Sequence, residues 1–245
     1  MINNKKVLCI VPARANSKGL PGKNIKNLCG KPLIAWPIET AKNSKYIDKV
    51  ICSTDGEEIA KIAEKHGAEI PFIRPKELAT DTSPSYEFIL HALNFLKDLN
   101  QKYDYFILLE PTSPLTSTED VDKAIEMLEN NRNIADSIVG ISKSESTNPI
   151  FAVKSNNEGL ISSWDEKEIT NSIRRQDIPE SYFKDGSLYI SDTQIYLNLK
   201  KFYHDRTLGY KTKKWQSLEI DDIIDFICIE SIVKNLDLIN KTFSS

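Results

Sequence analysis

Val7-Leu8-Cys9-Ile10-Val11 runs directly into Pro12-Ala13-Arg14-Ala15-Asn16-Ser17-Lys18-Gly19-Leu20-Pro21-Gly22-Lys23-Asn24, and the fold is read from this stretch. Five successive apolar residues, without alternation and bounded by polar segments, suit a strand buried on both faces, as in a helix-covered parallel sheet. The loop after it holds two glycines and three cations, Arg14, Lys18 and Lys23. Glycines let a backbone turn sharply and approach a ligand, and amides combined with cations suit a polyphosphate. The plain alternative is a solvated loop whose charges have no task. A kinase-type phosphate loop is excluded, because Ser17 stands where its first glycine belongs and Asn24 where it needs Ser or Thr. A dinucleotide fold is excluded too, since no Gly-x-Gly-x-x-Gly follows the strand.

Outward from this loop, strand and helix patterns alternate. A helix is expected over Leu33–Lys42, kinked at Pro37. Val50–Ser53 reads as a strand and Glu57–His66 as a helix closed by Gly67. Ile70–Ile73 reads as a short strand interrupted by Pro71, and Tyr86–Leu99 as a helix with Ile89, Leu93 and Leu96 on one face. Tyr105–Leu109 is a buried strand, Glu119–Leu128 a helix capped by Ser117 or Thr118, and Ser137–Ile141 a further strand. This rhythm predicts an α/β fold, a three-layer α/β/α arrangement on a mostly parallel, Rossmann-like sheet. After about Ser142 the rhythm stops. Phe151–Val153 and Ser187–Ile190 are strand-like pieces in an inserted arm, and Ser217–Ile220 leads as a strand into a helix over Asp222–Leu236. One domain over 1–245 is expected, with the arm at about 143–205.

With 245 residues, 40% apolar, and a net charge of −3, the chain lacks the basic excess of a nucleic-acid binder. No apolar run approaches the roughly 20 residues that span a bilayer. Cys9, Cys29, Cys52 and Cys228 are scattered and suit reduced thiols. The expectation is a cytoplasmic protein with no membrane and no nucleic-acid partner.

The loop is not alone. Ser53-Thr54-Asp55 follows the second strand, Arg74-Pro75-Lys76-Glu77-Leu78-Ala79-Thr80-Asp81-Thr82-Ser83 the third, and Pro111-Thr112-Ser113-Pro114-Leu115 the fourth, while Arg174-Arg175-Gln176 to Tyr189-Ile190 lies in the arm. With Val11-Pro12-Ala13-Arg14, Ser17-Lys18-Gly19-Leu20-Pro21 and Lys23-Asn24, this series resembles the acylneuraminate cytidylyltransferases, the CMP-sialic acid synthetases and their relatives. The resemblance implies that a sugar-acid hydroxyl attacks the α-phosphate of CTP and releases pyrophosphate. It implies Arg14 and Lys23 as catalytic grips on the triphosphate. Nucleotide contacts are expected from Ala13, Ser17, Lys18, Gly19, Asn24, Arg74, Ser83 and Ser85. Taken by itself, Arg74 would read as a surface ion pair or a cap.

Glu219 and Asp221, two apart on a strand-like piece, turn their carboxylates to one face and suit Mg²⁺, with Mn²⁺ as an alternative. The family usually carries Asp-x-Asp here, so Glu219 is a departure; taken without the resemblance, Asp221 or Asp222 is simply the cap of the last helix. Acceptor binding is assigned to Glu110, Arg175, Asp185 and Tyr189, with Arg174 the second choice for the sugar carboxylate. Glu110 stands where sialic acid synthetases carry Gln, and Asp185 where Asn is common. Both changes leave an acceptor-only group when ionised, which would repel an acidic sugar and attract an amine or hydroxyl-rich face; the alternative is that the two residues sit outside the pocket and matter little. The acceptor is therefore expected to be a nonulosonic acid other than N-acetylneuraminate as readily as that acid itself. Competing readings are an octulosonate acceptor and a non-catalytic nucleotide-sugar-binding homologue. The arm resembles the dimerising segment of similar enzymes, so a homodimer is expected, with Phe183, Tyr196, Phe202 and Tyr203 buried in it.

Overall fold

The computed structural model describes residues 1–145, 148–164 and 178–243. Six strands form the main sheet in the order β10-β6-β9-β5-β1-β4. They are β1 (Val7–Pro12), β4 (Ile47–Ser53), β5 (Tyr105–Leu108), β6 (Ser137–Lys143), β9 (Tyr182–Asp192) and β10 (Thr207–Lys211). β1 pairs in parallel with β4 and β5, β6 pairs in parallel with β10, and β9 runs antiparallel between β5 and β6. A two-residue ribbon, β2 (Asn27–Leu28) with β3 (Lys31–Pro32), follows the first loop. A small hairpin, β7 (Val153–Ser155) with β8 (Ile161–Ser163), stands apart.

The alternation of side chains along β1 builds three layers. Val7, Cys9 and Val11 pack with Ile38 of α1 (Ala35–Lys42), Ile59 of α2 (Glu57–Lys65) and Val121 and Ile125 of α4 (Thr118–Asn130). Leu8 and Ile10 face the other way, onto Ile89, Leu93 and Leu96 of α3 (Ser85–Asp98) and Tyr196 of α5 (Thr193–Leu199). Every residue from Val7 to Val11 is fully buried, as an uninterrupted apolar run in a two-sided strand requires. A third cluster, Leu20, Leu28, Leu33, Leu115, Ile220, Phe226 and Ile229, lies beneath the first loop and anchors α6 (Ile223–Lys234). The last helix is α7 (Leu236–Phe243).

The α/β expectation holds, and so do Gly67 beyond α2, in left-handed geometry at φ 98°, and Ser117 as the cap of α4, with Asp120 closing the capping box. Five local readings change. Pro37 lies in the first turn of α1, where its missing N–H has no helical partner to lose, so it opens the helix instead of kinking it. Ile70–Ile73 is no strand: the chain touches β4 at a single bridge, Ile51 with Glu69, and Pro71 has no N–H with which to continue. Phe151 ends a 3-10 turn, and β7 starts at Val153. Ser217–Ile220 is no strand either. A 3-10 turn over Lys214–Ser217 leads into an extended segment that the Ile220 N–H ties to the Thr112 carbonyl at 2.8 Å. The last helical stretch breaks at Asn235 into α6 and α7.

The largest difference concerns the arm. Ser187–Ile190 belongs to β9, an eleven-residue strand in the middle of the main sheet. Tyr196 is buried in its own subunit against Phe106 and Phe202, whereas Phe183 and Tyr203 are exposed. The edge strand β10 has no counterpart in the sequence reading. Thr-Leu-Gly-Tyr-Lys carries little apolar alternation, and pairing with β6 is what makes it a strand. Two of the four thiols, Cys9 and Cys52, are buried, while Cys29 and Cys228 are exposed, and all four are free.

Candidate active site

The carboxyl ends of β1, β4 and β5 open on the same side of the sheet, and because β9 runs antiparallel it brings its first half, Tyr182–Ser187, to that side as well. The loop after β1 is held there by its own backbone. Ala13 N–H donates to the Ser53 carbonyl at 3.0 Å, and Ala15 N–H to the Asp55 carboxylate at 2.8 Å. Asn24, buried, donates its amide to the Arg14 carbonyl at 2.9 Å and so ties the end of the loop to its beginning. Gly22 turns the chain at φ 66°, a left-handed conformation that suits glycine, into the short 3-10 turn Lys23–Ile25. At Gly19 a Cβ would stand 2.2 Å from the Asp221 carbonyl oxygen, so glycine lets the loop and the 218–221 segment touch.

A cavity of about 440 Å³ results. Of the expected site residues, Arg14, Ser17, Lys18, Gly19, Lys23, Asn24, Arg74, Ser83, Ser85, Glu110 and Asp221 all line it. Lys23 Nζ donates to the Ile220 carbonyl at 2.6 Å and lies 3.6 Å from the Asp221 carboxylate. Arg74 is only 4% exposed. Its guanidinium donates to Ser53 Oγ at 3.0 Å and to the Ser53 carbonyl at 2.5 Å, and lies 4.4 Å from the centre of the Phe88 ring. Burial lowers its pKa to about 10, partly opposed by Asp55, so it stays charged at neutral pH. That geometry replaces the reading of Arg74 as a surface ion pair or a cap.

Glu110 is the counterpart on the far wall. Burial first, and then the Glu219 carboxylate, push its pKa up to about 7, with Lys23 pulling the other way. Glu219 is raised as well, by burial and then by Asp221 and Asp185, against the pull of its bond from the Gly186 N–H at 2.6 Å. At Gly186 a Cβ would stand 2.5 Å from the Glu219 carboxyl carbon, so the two are packed together. Asp221, by contrast, projects freely, its side chain 85% exposed. Asp222, not Asp221, caps α6, accepting from the N–H groups of Ile224 and Asp225. The capping reading is thus used up by the neighbour, and the Asp221 carboxylate is left facing the cavity.

Four expectations do not fit the cavity. Ala13 is buried and its N–H is spent on Ser53. Asp185 is 1% exposed. It accepts from the Ser187 N–H at 3.1 Å, from the Ser187 hydroxyl, and from Thr212 Oγ1 at 2.6 Å, so it staples β9 to the edge of the sheet and offers nothing to an acceptor. Gly140 on β6 makes room for it, since a Cβ there would stand 2.4 Å from its Oδ1. Tyr189 packs beside Phe202 at 5.3 Å between ring centres and does not line the cavity. Glu219 is adjacent to the cavity, bonded to Gly186, and the reason given for pairing it with Asp221, a shared strand face, does not hold. Arg174 and Arg175 lie outside the described residues. Phe88 and Asp81 also line the cavity and had no assigned role. Phe88 was within reach, standing one residue before Ile89 on a helix that starts at the site, whereas nothing local marks Asp81.

A site of cations and glycines at strand ends, with a buried arginine opposite acidic residues, suits a nucleoside triphosphate. Comparison with known proteins decides the lineage, for the sequence pattern of the cytidylyltransferases matches residues 8–241. The chain belongs to the cytidylyltransferase family. It is 37% identical to the N-acylneuraminate cytidylyltransferase of Escherichia coli over 90% of this chain and 50% of that protein. It is 36% identical to the pseudaminic acid cytidylyltransferase of Campylobacter jejuni over 90% of this chain and 93% of that one. It is 31% identical to the CMP-N,N'-diacetyllegionaminic acid synthase of Legionella pneumophila over 94% and 97% respectively. The chain spans about half the length of the N-acylneuraminate relatives it matches and nearly the whole of the other two. Among solved structures, a CMP:2-keto-3-deoxy-manno-octonic acid synthetase complexed with CTP superposes with a TM-score of 0.68, covering 94% of this chain and 99% of that one. At 14% identity that likeness establishes the fold.

Proposed function

We propose that this cytidylyltransferase joins CMP from CTP to a nonulosonic, sialic-acid-like sugar acid and releases pyrophosphate. The observation that carries this reading is the convergence of Arg14, Lys18 and Lys23 with the buried Arg74 on one cavity at the carboxyl ends of the parallel strands. The acceptor's hydroxyl oxygen forms the new bond to the α-phosphorus and gives up its proton to solvent. The bond from that phosphorus to the α,β-bridging oxygen breaks, and pyrophosphate leaves with the electron pair. Such chemistry depends on positioning and on neutralising charge at the phosphates, which is what Arg14 and Lys23 supply. Arg74, Asn24, Ser83 and Ser85 form the wall against which the nucleoside sits.

The carboxylates fit a divalent cation of the Mg²⁺ kind. Asp221 offers an exposed carboxylate 3.6 Å from Lys23 Nζ, and Glu219 lies close enough to Glu110 to add to the rise that burial gives the Glu110 pKa. Among the described residues no group of three or more potential ligands encloses a metal ion. Mg²⁺ requires no such group, since it takes one or two carboxylates and completes its shell with phosphate oxygens and water. Asp221 would hold it, with Glu219 second, and it would supply charge neutralisation at the phosphates.

Glu110 faces the acceptor. With its pKa near 7 it is partly protonated at neutral pH and then presents an O–H donor and a carbonyl acceptor, as the glutamine of sialic acid synthetases does. The departure at this position is chemically smaller than a bare Glu-for-Gln exchange implies. The hairpin that carries β7 and β8 exposes Phe151, Val153, Leu160, Ile161 and Trp164, an apolar surface that a second copy would cover. Among the described residues no helix is long and apolar enough to cross a membrane, and the use of CTP points to the cytoplasm.

The test is pyrophosphate release with Mg²⁺, each nucleoside triphosphate and a panel of sugar acids. Turnover with CTP and a nonulosonate supports the proposal. Turnover with an octulosonate alone reassigns the acceptor, and no release with any pair refutes the proposal. A monomeric mass at micromolar concentration would exclude the dimer.

A further inference from the structure

We propose that Asp81 is an anion latch: its carboxylate occupies the place of phosphate oxygens between Arg14 and Lys18, and a polyphosphate must displace it to bind. The proposal rests on the reading of residues 14–24 as a phosphate grip. One carboxylate oxygen accepts from Arg14 NH1 at 2.7 Å and the other from Lys18 Nζ at 2.7 Å. The two cations that the first loop contributes on this side are therefore both spent on a carboxylate from another part of the chain. Lys23 is provided for separately, by the Ile220 carbonyl and Asp221.

The carrier of Asp81 is suited to such a role. It lies between the 3-10 turn Lys76–Leu78 and the start of α3 at Ser85. Its own hydrogen bonds are local: Thr80 N–H donates to Ser83 Oγ at 3.2 Å, and Ser83 Oγ donates to the Glu77 carbonyl at 2.7 Å. Ser83 and Ser85 are on the nucleoside side of the same cavity.

The pairs themselves are weak. The side chains of Arg14, Lys18 and Asp81 are 34%, 79% and 40% exposed, so solvent screens them. A single carboxylate holds two cations in place, relieves their repulsion, and yields to a ligand with several phosphate oxygens. A monoanionic or dianionic competitor such as inorganic phosphate gains much less by replacing it.

The experiment is equilibrium titration of the full chain with inorganic triphosphate, inorganic phosphate, cytidine and CTP, without acceptor, for the wild type, Asp81→Asn and Asp81→Glu. Asp81→Asn is expected to bind inorganic triphosphate about three- to tenfold more tightly, the range set by losing two exposed ion pairs, with cytidine affinity unchanged. Asp81→Glu is expected to return triphosphate affinity toward that of the wild type. Unchanged or weaker triphosphate binding by Asp81→Asn, with the wild type binding normally, overturns the latch alone. Wild-type protein that binds neither triphosphate nor CTP overturns the phosphate-grip reading and the latch with it.

Discussion

On one wall of the cleft Arg14, Lys18 and Lys23 stand on a loop that follows a strand, with Arg74 buried behind them; on the other, Glu110 lines the cleft, with Glu219 adjacent to it and the buried Asp185 stapled outside the cavity. The first wall is built from neighbours in sequence. Ten residues from Arg14 to Lys23 supply its cations and its turns. The second is assembled from three distant places, the end of β5, the first half of β9 and the segment before α6, and burial first, then neighbouring carboxylates, raise the pKa values of Glu110 and Glu219. A wall for a polyanion can be written locally because amides and cations of one loop suffice. A wall for a sugar acid needs shape, and shape comes from tertiary contacts.

The comparison is open to attack at both walls. The largest effect is expected from Arg14→Ala, a half-exposed side chain whose removal should lower pyrophosphate release by roughly a hundred- to a thousandfold while the circular dichroism and Tm stay as they are. A fully active variant would break the phosphate assignment. Asp221→Ala should come next, losing most Mg²⁺-dependent activity without loss of stability, since the side chain is 85% exposed and Asp222 keeps the cap of α6. Retained activity there would remove Asp221 from the metal site. Gly19→Ala should lower activity by about tenfold or more, because a Cβ would meet the Asp221 carbonyl at 2.2 Å and push the loop off its support. An unaffected rate would show that this contact does not matter.

Asp185→Ala tests the second wall. It should destabilise the fold by about 2–4 kcal/mol in urea unfolding, because the Ser187 and Thr212 donors lose a buried acceptor. A change in KM for the sugar with stability intact would restore Asp185 to acceptor binding. The smallest effect belongs to Glu110→Gln. The Glu110 pKa is raised in the fold to about 7, so ionising the carboxyl costs stability. Below the unfolded-state pKa both states are protonated and the group contributes nothing. As pH rises through the ordinary carboxylate range and on to about 7, the unfolded chain ionises first and the fold loses stability. Glu110→Gln should therefore raise Tm at pH 8 by more than at pH 4, by an amount worth about 1–3 kcal/mol. Equal shifts at both pH values would count against a raised pKa.

Much of this site was legible in the sequence, and the residues that were not share a physical cause. Strand β1, its loop, α3 and α4 follow from local pattern, and the first wall follows from them. Tyr196 and Phe202 read as interface residues because an aromatic residue in a polar stretch looks the same whether its own core or a partner covers it. Asp185 read as an acceptor contact because the sequence shows the carboxylate and not the donors that occupy it. Glu219 and Asp221 were paired by strand geometry that the chain does not adopt, yet Glu219, Asp221 and Glu110 still lie within electrostatic reach of one another.

What the sequence determined by itself was the alternation that makes a helix-covered sheet, the cation- and glycine-bearing loop at its edge, and the family. Each depends on residues close along the chain, where side-chain type and spacing fix the outcome. The tertiary structure alone decided that β9 lies antiparallel in the centre of the sheet, that Asp222 caps α6 and frees Asp221, that Asp81 reaches across to Arg14 and Lys18, and that Glu110 is crowded toward neutrality. Those are distances between residues far apart in sequence, and only packing brings them close enough to hydrogen-bond or to shift a pKa.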